Sequence, residues 1–198
     1  MNFDPLARYY DTIARLVYWG AIQKSQLTFL NQIEGRSNVL IVGGGTGWIL
    51  NHIPSDCASV TYIEPSGGMM KISRSRTVNF PVKYIQKPIE DTTLRSEFDV
   101  IITNFFLDQF DEEEGEKIAR KLKDALKVNS TWIFTDFEDN GQWWQKILLK
   151  FMYSFFVKTT GLRTNQLLPW ENIMNSIDMK HEKLESYFGN FIVSVCYK

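Results

Sequence analysis

Val39-Leu40-Ile41-Val42-Gly43-Gly44-Gly45-Thr46-Gly47 is a short β-type run that passes directly into a glycine-rich loop, with a helix expected to open near Gly47. At the carboxyl end of a parallel strand, glycines permit positive φ and let a ligand approach the main chain with no Cβ in the way. The spacing is Gly-x-Gly-x-Gly. Counted from Gly43, the last position of the dinucleotide fingerprint Gly-x-Gly-x-x-Gly/Ala falls on Trp48, which does not fit it. The next β-type run, Val60-Thr61-Tyr62-Ile63-Glu64, ends in a carboxylate about 20 residues beyond the loop, where an acidic side chain can accept hydrogen bonds from ribose hydroxyls. Loop and acid together point to a nucleoside-containing ligand.

Downstream, strand and helix signals keep alternating. A helix through Met69, Met70 and Ile72 precedes a strand over 82–86, and residues 98–103 form the nearly unbroken apolar run of a strand buried on both faces. A charged helix over about 112–126 carries Ile118, Ala119, Leu122 and Leu126 as one stripe, and residues 131–137 supply a further strand. This alternation implies right-handed βαβ units and a parallel sheet covered on both sides. The end of the chain differs: the runs 183–187 and 191–197 flank Phe188-Gly189-Asn190 and read as a hairpin. Upstream, Asp4-Pro5 is a good helix start, and Leu6, Tyr9, Tyr10, Ile13, Leu16 and Val17 follow on one helical face. A second helical stretch passes through Ile22, Leu27, Leu30 and Ile33. The expected fold is α/β, a Rossmann-like doubly wound sheet in one domain over 1–198. Its parts are N-terminal helices (1–36), a cofactor-binding core (37–137), an apolar helical cover (138–180) and a terminal hairpin (181–198).

Bulk properties narrow the partners. With 198 residues, 44% hydrophobic and 23% charged, the chain can bury one core without disulfide or metal. A formal net charge of -1 lacks the broad basic footprint that nucleic acid requires, and Lys71, Arg74 and Arg76 fit a solvated helix face. Cys57 and Cys196 show no CxxC spacing, and His52 and His181 lie apart from the glycine loop, so no metal site is expected. Neither a signal peptide nor a membrane span is indicated, and a cytoplasmic location is the expectation.

These residues carry a resemblance to class I S-adenosylmethionine (SAM)-dependent methyltransferases, in particular the quinone and small-molecule branch. Phe3-Asp4-Pro5-Leu6-Ala7-Arg8-Tyr9-Tyr10-Asp11 resembles that branch's opening segment, and residues 39–47 its first motif. Glu64-Pro65-Ser66-Gly67-Gly68-Met69-Met70 resembles the second motif, and Phe98-Asp99-Val100-Ile101-Ile102-Thr103-Asn104 the fourth. The resemblance implies a mostly parallel seven-stranded sheet with an antiparallel last strand, and SAM as cofactor. It places Gly43, Gly44, Gly45, Thr46 and Gly47 beside the methionine and ribose portions, and Glu64 with Pro65 at the ribose. Met69 falls at the adenine, with the Ile89 backbone N–H on the adenine ring, and Asn104 and Phe105 fall near the sulfonium. Tyr10 would help close the site. Ile41 departs from a position that is often acidic in the family. Pro88 departs from one that is often Asp, which leaves Glu90 or Gln86 as substitutes at the adenine.

The cofactor brings its own activated methyl, so the protein must chiefly position the acceptor and exclude water. Asp108, just beyond the fourth motif, is the expected base where the acceptor must lose a proton, and it equally fits a turn or helix cap. The aromatic-rich residues 143–160 fit either a helix packed on the sheet or a lid over an apolar acceptor, with peripheral membrane contact a further use. The expected partner is a small apolar or aromatic acceptor. Two alternatives stand beside this reading: a non-catalytic SAM-binding or partner-binding module, and a nicotinamide-dependent oxidoreductase, which Trp48 and the terminal hairpin disfavour.

Overall fold

The computed structural model describes residues 18–160, 164 and 166–198; the helix expected after Asp4-Pro5, including Tyr10, lies outside the described residues. β1 (Asn38–Val42) pairs in parallel with β2 (Ser59–Ile63), which pairs in turn with β3 (Val82–Ile85). On its other side β1 pairs in parallel with β4 (Phe98–Asn104), and β4 with β5 (Leu126–Phe137). The hairpin of β6 (His181–Tyr187) and β7 (Ile192–Tyr197) closes the sheet, with β7 antiparallel to β5. The order is β3-β2-β1-β4-β5-β7-β6. Chain direction across the sheet therefore reverses between β1 and β4, the place where doubly wound sheets open a crevice at their carboxyl edge.

Because side chains alternate along a strand, the apolar run of β1 serves two cores. Leu40 and Val42 join Ile101, Trp132 and Phe134 on one face, while Val39 and Ile41 join Val100, Ile102, Leu50 and Met70 on the other. The first face is covered by α3 (Glu112–Ala125), so named because α1 (Ala21–Leu27) and α2 (Gly67–Ser73) precede it. Asp111 caps α3 by accepting from the Glu114 N–H at 2.9 Å, and Glu112, Glu113 and Glu114 complement the positive end of the helix dipole. Its buried stripe is Gly115, Ile118, Ala119, Leu122 and Ala125. Burying a Leu or Ile such as Leu122 stabilises the fold by about 1.5–3 kcal/mol relative to exposure.

Two elements depart from the sequence expectation. The helix expected to open near Gly47 is only a 3-10 turn, Trp48–His52, because the chain turns extended at Ile53 ahead of Pro54. β5 begins at Leu126, immediately after α3, and its first residues are joined to the paired segment through Asn129 at φ 61° and a register shift opposite β4. α4 (Trp143–Thr160) has two apolar sides: Leu149, Met152 and Tyr153 are buried against Tyr18, Phe137 and Phe191, while Trp143 and Phe151 are more than 70% exposed. The chain then forms α5 (Trp170–Ser176), which packs on α3 through Ile173 beside Gly115. No helix among the described residues is long and apolar enough to cross a membrane.

Candidate functional site

The glycine loop is locked by backbone and side-chain bonds. Gly43 and Gly44 N–H groups both reach the Ile63 carbonyl, at 2.9 and 3.4 Å. The Gly45 N–H donates to Glu64 Oε2 at 2.9 Å, and the Tyr62 hydroxyl donates to the Gly45 carbonyl at 2.8 Å. Glu64, 5% exposed, also accepts the Ser66 N–H at 2.9 Å on Oε1. Its carboxylate thus ties the loop after β1 to the turn that starts α2, whose N-terminus is capped by Ser66. Burial, and secondarily the Glu64 charge, holds the Tyr62 phenol well above its ordinary pKa, so it stays a donor.

Gly44 and Gly45 must be glycine for different reasons. A Cβ on Gly44 would fall 2.3 Å from the Tyr62 ring. Gly45 has φ 60° and nothing within 4 Å of where a Cβ would stand, so its bare backbone faces open space.

That space is a cavity of about 340 Å³ at the switch between β1 and β4, within the roughly 300–1,000 Å³ range of small-molecule sites. Gly43, Gly44, Gly45, Thr46, Glu64, Pro65 and Met69 line one end, and Ile89 and Glu90 close it. Lys121 fixes that closing loop by donating to the Ile89 carbonyl at 2.7 Å and the Glu90 carbonyl at 3.0 Å. Asn104 and Phe105 line the other end, under Ile22 and Gln23 of α1, while Phe106 and Phe110 line the cavity packed with Ile89. Gly47 stands off the wall, at φ 73°, where a Cβ would fall 2.7 Å from that of Ser73 in α2. Asp108 also stands off the wall, one residue from Gln109.

Charge on the wall is one-sided. Glu64, Glu90 and Glu114 line the cavity and no Lys, Arg or His among the described residues does. Asn104 Oδ1 and Gln23 Oε1 are both buried without a hydrogen-bond partner among the described residues, and both residues line the cavity. Buried acceptors of this kind are costly unless a ligand supplies donors or positive charge. A pyrophosphate would meet carboxylates and no cationic side chain among the described residues here, whereas the sulfonium and amino group of SAM suit them. The glycine cradle, the volume and the orphaned amide oxygens all fit that cofactor.

Behind this end lies a second polar group that sequence reasoning missed in part. Asp136, at the end of β5, accepts the Asp108 N–H at 3.2 Å on Oδ2 and the Phe137 N–H at 2.9 Å on Oδ1. Desolvation pushes the Asp108 carboxyl up to about 7, and desolvation with the Asp108 charge pushes Asp136 well above the usual carboxylate range. Asp108 Oδ1 and the Tyr153 hydroxyl are buried without a partner among the described residues. Burial, then the Asp108 charge, raises the phenols of Tyr18 and Tyr153. Asp136 carries no motif: an acid inside a buried strand is its only sequence signal. Gln23 lies in a helix whose position over the crevice only the tertiary fold reveals.

Residues 40–134 match the family described as a methyltransferase domain. A malonyl-[acyl-carrier protein] O-methyltransferase from Acetivibrio thermocellus is 28% identical over 145 residues, covering 69% of this chain and 48% of the relative. The chain thus spans about half the length of that curated relative. Among solved structures, the DhpI–SAM–HEP complex aligns over 99% of this chain and 94% of its own, with TM-score 0.74 and 16% identity. The Burkholderia thailandensis 1,6-didemethyltoxoflavin-N1-methyltransferase, with bound 1,6-didemethyltoxoflavin and S-adenosylhomocysteine, aligns over 98% and 84%, with TM-score 0.70 and 11% identity. The sheet order, the glycine cradle and the match over residues 40–134 converge: the chain resembles SAM-dependent methyltransferases in sequence over that segment and in fold.

Proposed function

We propose that the protein transfers a methyl group from SAM to a small apolar or aromatic acceptor. The observation that carries this reading is a cavity at the sheet's switch point whose charged residues, among the described residues, are all acidic and whose glycine loop leaves the Gly45 backbone bare. Glu64 is assigned to the ribose, Met69 and Ile89 to the adenine, and Asn104 and Gln23 to the positively charged methionine end. SAM supplies a methyl already activated on sulfur. The residues of the chain orient it, and Phe105 keeps water from the reacting end.

Asp108 is assigned as the group that receives a proton from the acceptor. Its raised pKa places it near neutrality, where a general base is most effective. The 1,6-didemethyltoxoflavin bound by one similarly folded enzyme supports a small-molecule acceptor, and the phenylalanines that line the cavity support an aromatic one.

The test is transfer of radiolabelled methyl from SAM to a panel of phenols, heterocyclic amines and fatty acids. Turnover on a ring-bearing acceptor is expected, with Asp108→Asn slowing it about 10²–10⁴-fold. SAM binding with no turnover on any acceptor would instead favour a non-catalytic SAM-binding module.

A further inference from the structure

We propose that the outer face of α4 docks on an anionic lipid membrane. The helix runs for 18 residues and carries three lysines and no acid. Trp143, Ile147, Phe151 and Phe155 recur every fourth residue and so share one line along it. Each of the four is more than 40% exposed. Lys146, Lys150 and Lys158 stand with Ser154 on the adjoining line, at the same spacing. The opposite side of the helix is already engaged, since Leu149, Met152 and Tyr153 pack with Tyr18, Phe137 and Phe191. The outer line can therefore meet a surface without α4 leaving the fold.

The patch extends to both flanks of the helix. Away from the lysines, Trp144 packs edge-on to Phe188 with ring centroids 5.6 Å apart, and Phe188 packs edge-on to Trp19 at 6.3 Å. Trp19 itself is 87% exposed. On the lysine side runs a groove of about 660 Å³, lined by Lys146, Lys150, Lys158, Val157 and Leu167, with Asp139 its one acid among the described residues.

Exposed tryptophan and phenylalanine beside lysine suit a helix lying in the plane of a membrane interface. Indole rings seat at headgroup level, phenyl and aliphatic groups enter the acyl boundary, and ammonium groups reach the lipid phosphates. Charge decides between this occupant and a second copy of the chain. About a two-fold axis the same lysines would stand against one another, with no acid on the helix to offset them. An anionic lipid surface instead offers phosphates to the lysines and acyl chains to the apolar line at once. The inner residues of α4 also share a cluster with Phe105, which lines the cavity at the glycine loop. A membrane at α4 thus lies across one helix from the Phe105 end of that cavity.

The experiment sediments the full chain with sucrose-loaded vesicles of phosphatidylcholine alone, or with about one third phosphatidylglycerol, at low and high salt. Binding to the anionic vesicles is expected to be at least about tenfold tighter than to the neutral ones and to weaken as salt rises. Lys150→Gln should weaken it about fivefold and Phe151→Ser about tenfold. Both side chains are exposed, so thermal unfolding of the two variants should match that of the parent chain. No binding to anionic vesicles, equal binding to both compositions, or binding that neither variant weakens would overturn the proposal. Sedimentation equilibrium without lipid completes the test: a dimer that Phe151→Ser dissociates gives the face to a second copy and overturns it. A monomer that ignores vesicles leaves the face to residues 1–17 or to a partner protein, and overturns it equally. Vesicle binding is read without SAM, so its failure leaves the methyltransferase reading untouched.

Discussion

At the scale of single residues, Asp108 and Asp136 make the sharpest prediction. A carboxyl whose pKa is raised on folding holds its proton more tightly in the folded chain than in the unfolded one. Its stabilising contribution is therefore complete below the unfolded value of about 4 and is lost as pH climbs through about 7. The groups facing it are Asp136 of β5, Tyr18 before α1 and Tyr153 of α4. Chemical denaturation at a series of pH values should show stability falling across that window, and Asp108→Asn should flatten the fall; an unchanged slope would remove the buried-acid account. The glycine loop makes a second prediction. Gly44→Ala drives a Cβ into the Tyr62 ring and should destabilise the fold by about 1–3 kcal/mol in thermal unfolding. Gly45→Val meets no neighbour among the described residues, so its main effect should be weaker SAM binding, added to the backbone strain of a positive φ. Much of this site is legible in sequence because a glycine loop and an acid at a strand end have local signatures. Asp136 and Gln23 are not, since their importance comes from which distant elements stand beside them, and Tyr10 lies outside the described residues.

At the scale of elements, α3 is the clearest success of periodicity. Asp111→Ala should cost about 1 kcal/mol by freeing the Glu114 N–H, measured as a shift in the denaturant midpoint with unchanged slope. Where the reading went astray, a local competitor prevailed. The segment after Gly47 has helical apolar spacing, but Pro54 leaves room for only a 3-10 turn. In β5, the boundary with α3 is abrupt, and no turn residue separates Ala125 from Leu126. For α4, apolar residues all around the helix left its packing undetermined in sequence. The structure answers part of that question: Leu149, Met152 and Tyr153 are its inner face, and none of its residues lines the cavity under α1.

At the scale of the whole molecule, β1 and β4 form the hinge of the account. Strand alternation and the terminal hairpin were legible because each has a short-range pattern, whereas the order β3-β2-β1-β4-β5-β7-β6 required the family resemblance or the structure. That order sets the glycine loop and Asn104 at adjacent carboxyl ends, which makes a single cavity from motifs about 60 residues apart in the chain. A ligand seated there bridges both halves of the sheet and binds only the folded state. At a hundredfold excess over Kd it should add about 2.7 kcal/mol, raising Tm by roughly 5–11 °C for a chain of this size. The most direct measurement of the central claim is calorimetric titration of the protein with SAM, with S-adenosylhomocysteine and NAD as companions, repeated for Glu64→Ala. Micromolar binding of SAM and S-adenosylhomocysteine, none of NAD, and a marked loss in the Glu64 variant are the predicted result; absence of SAM binding, or NAD bound in its place, would contradict the account.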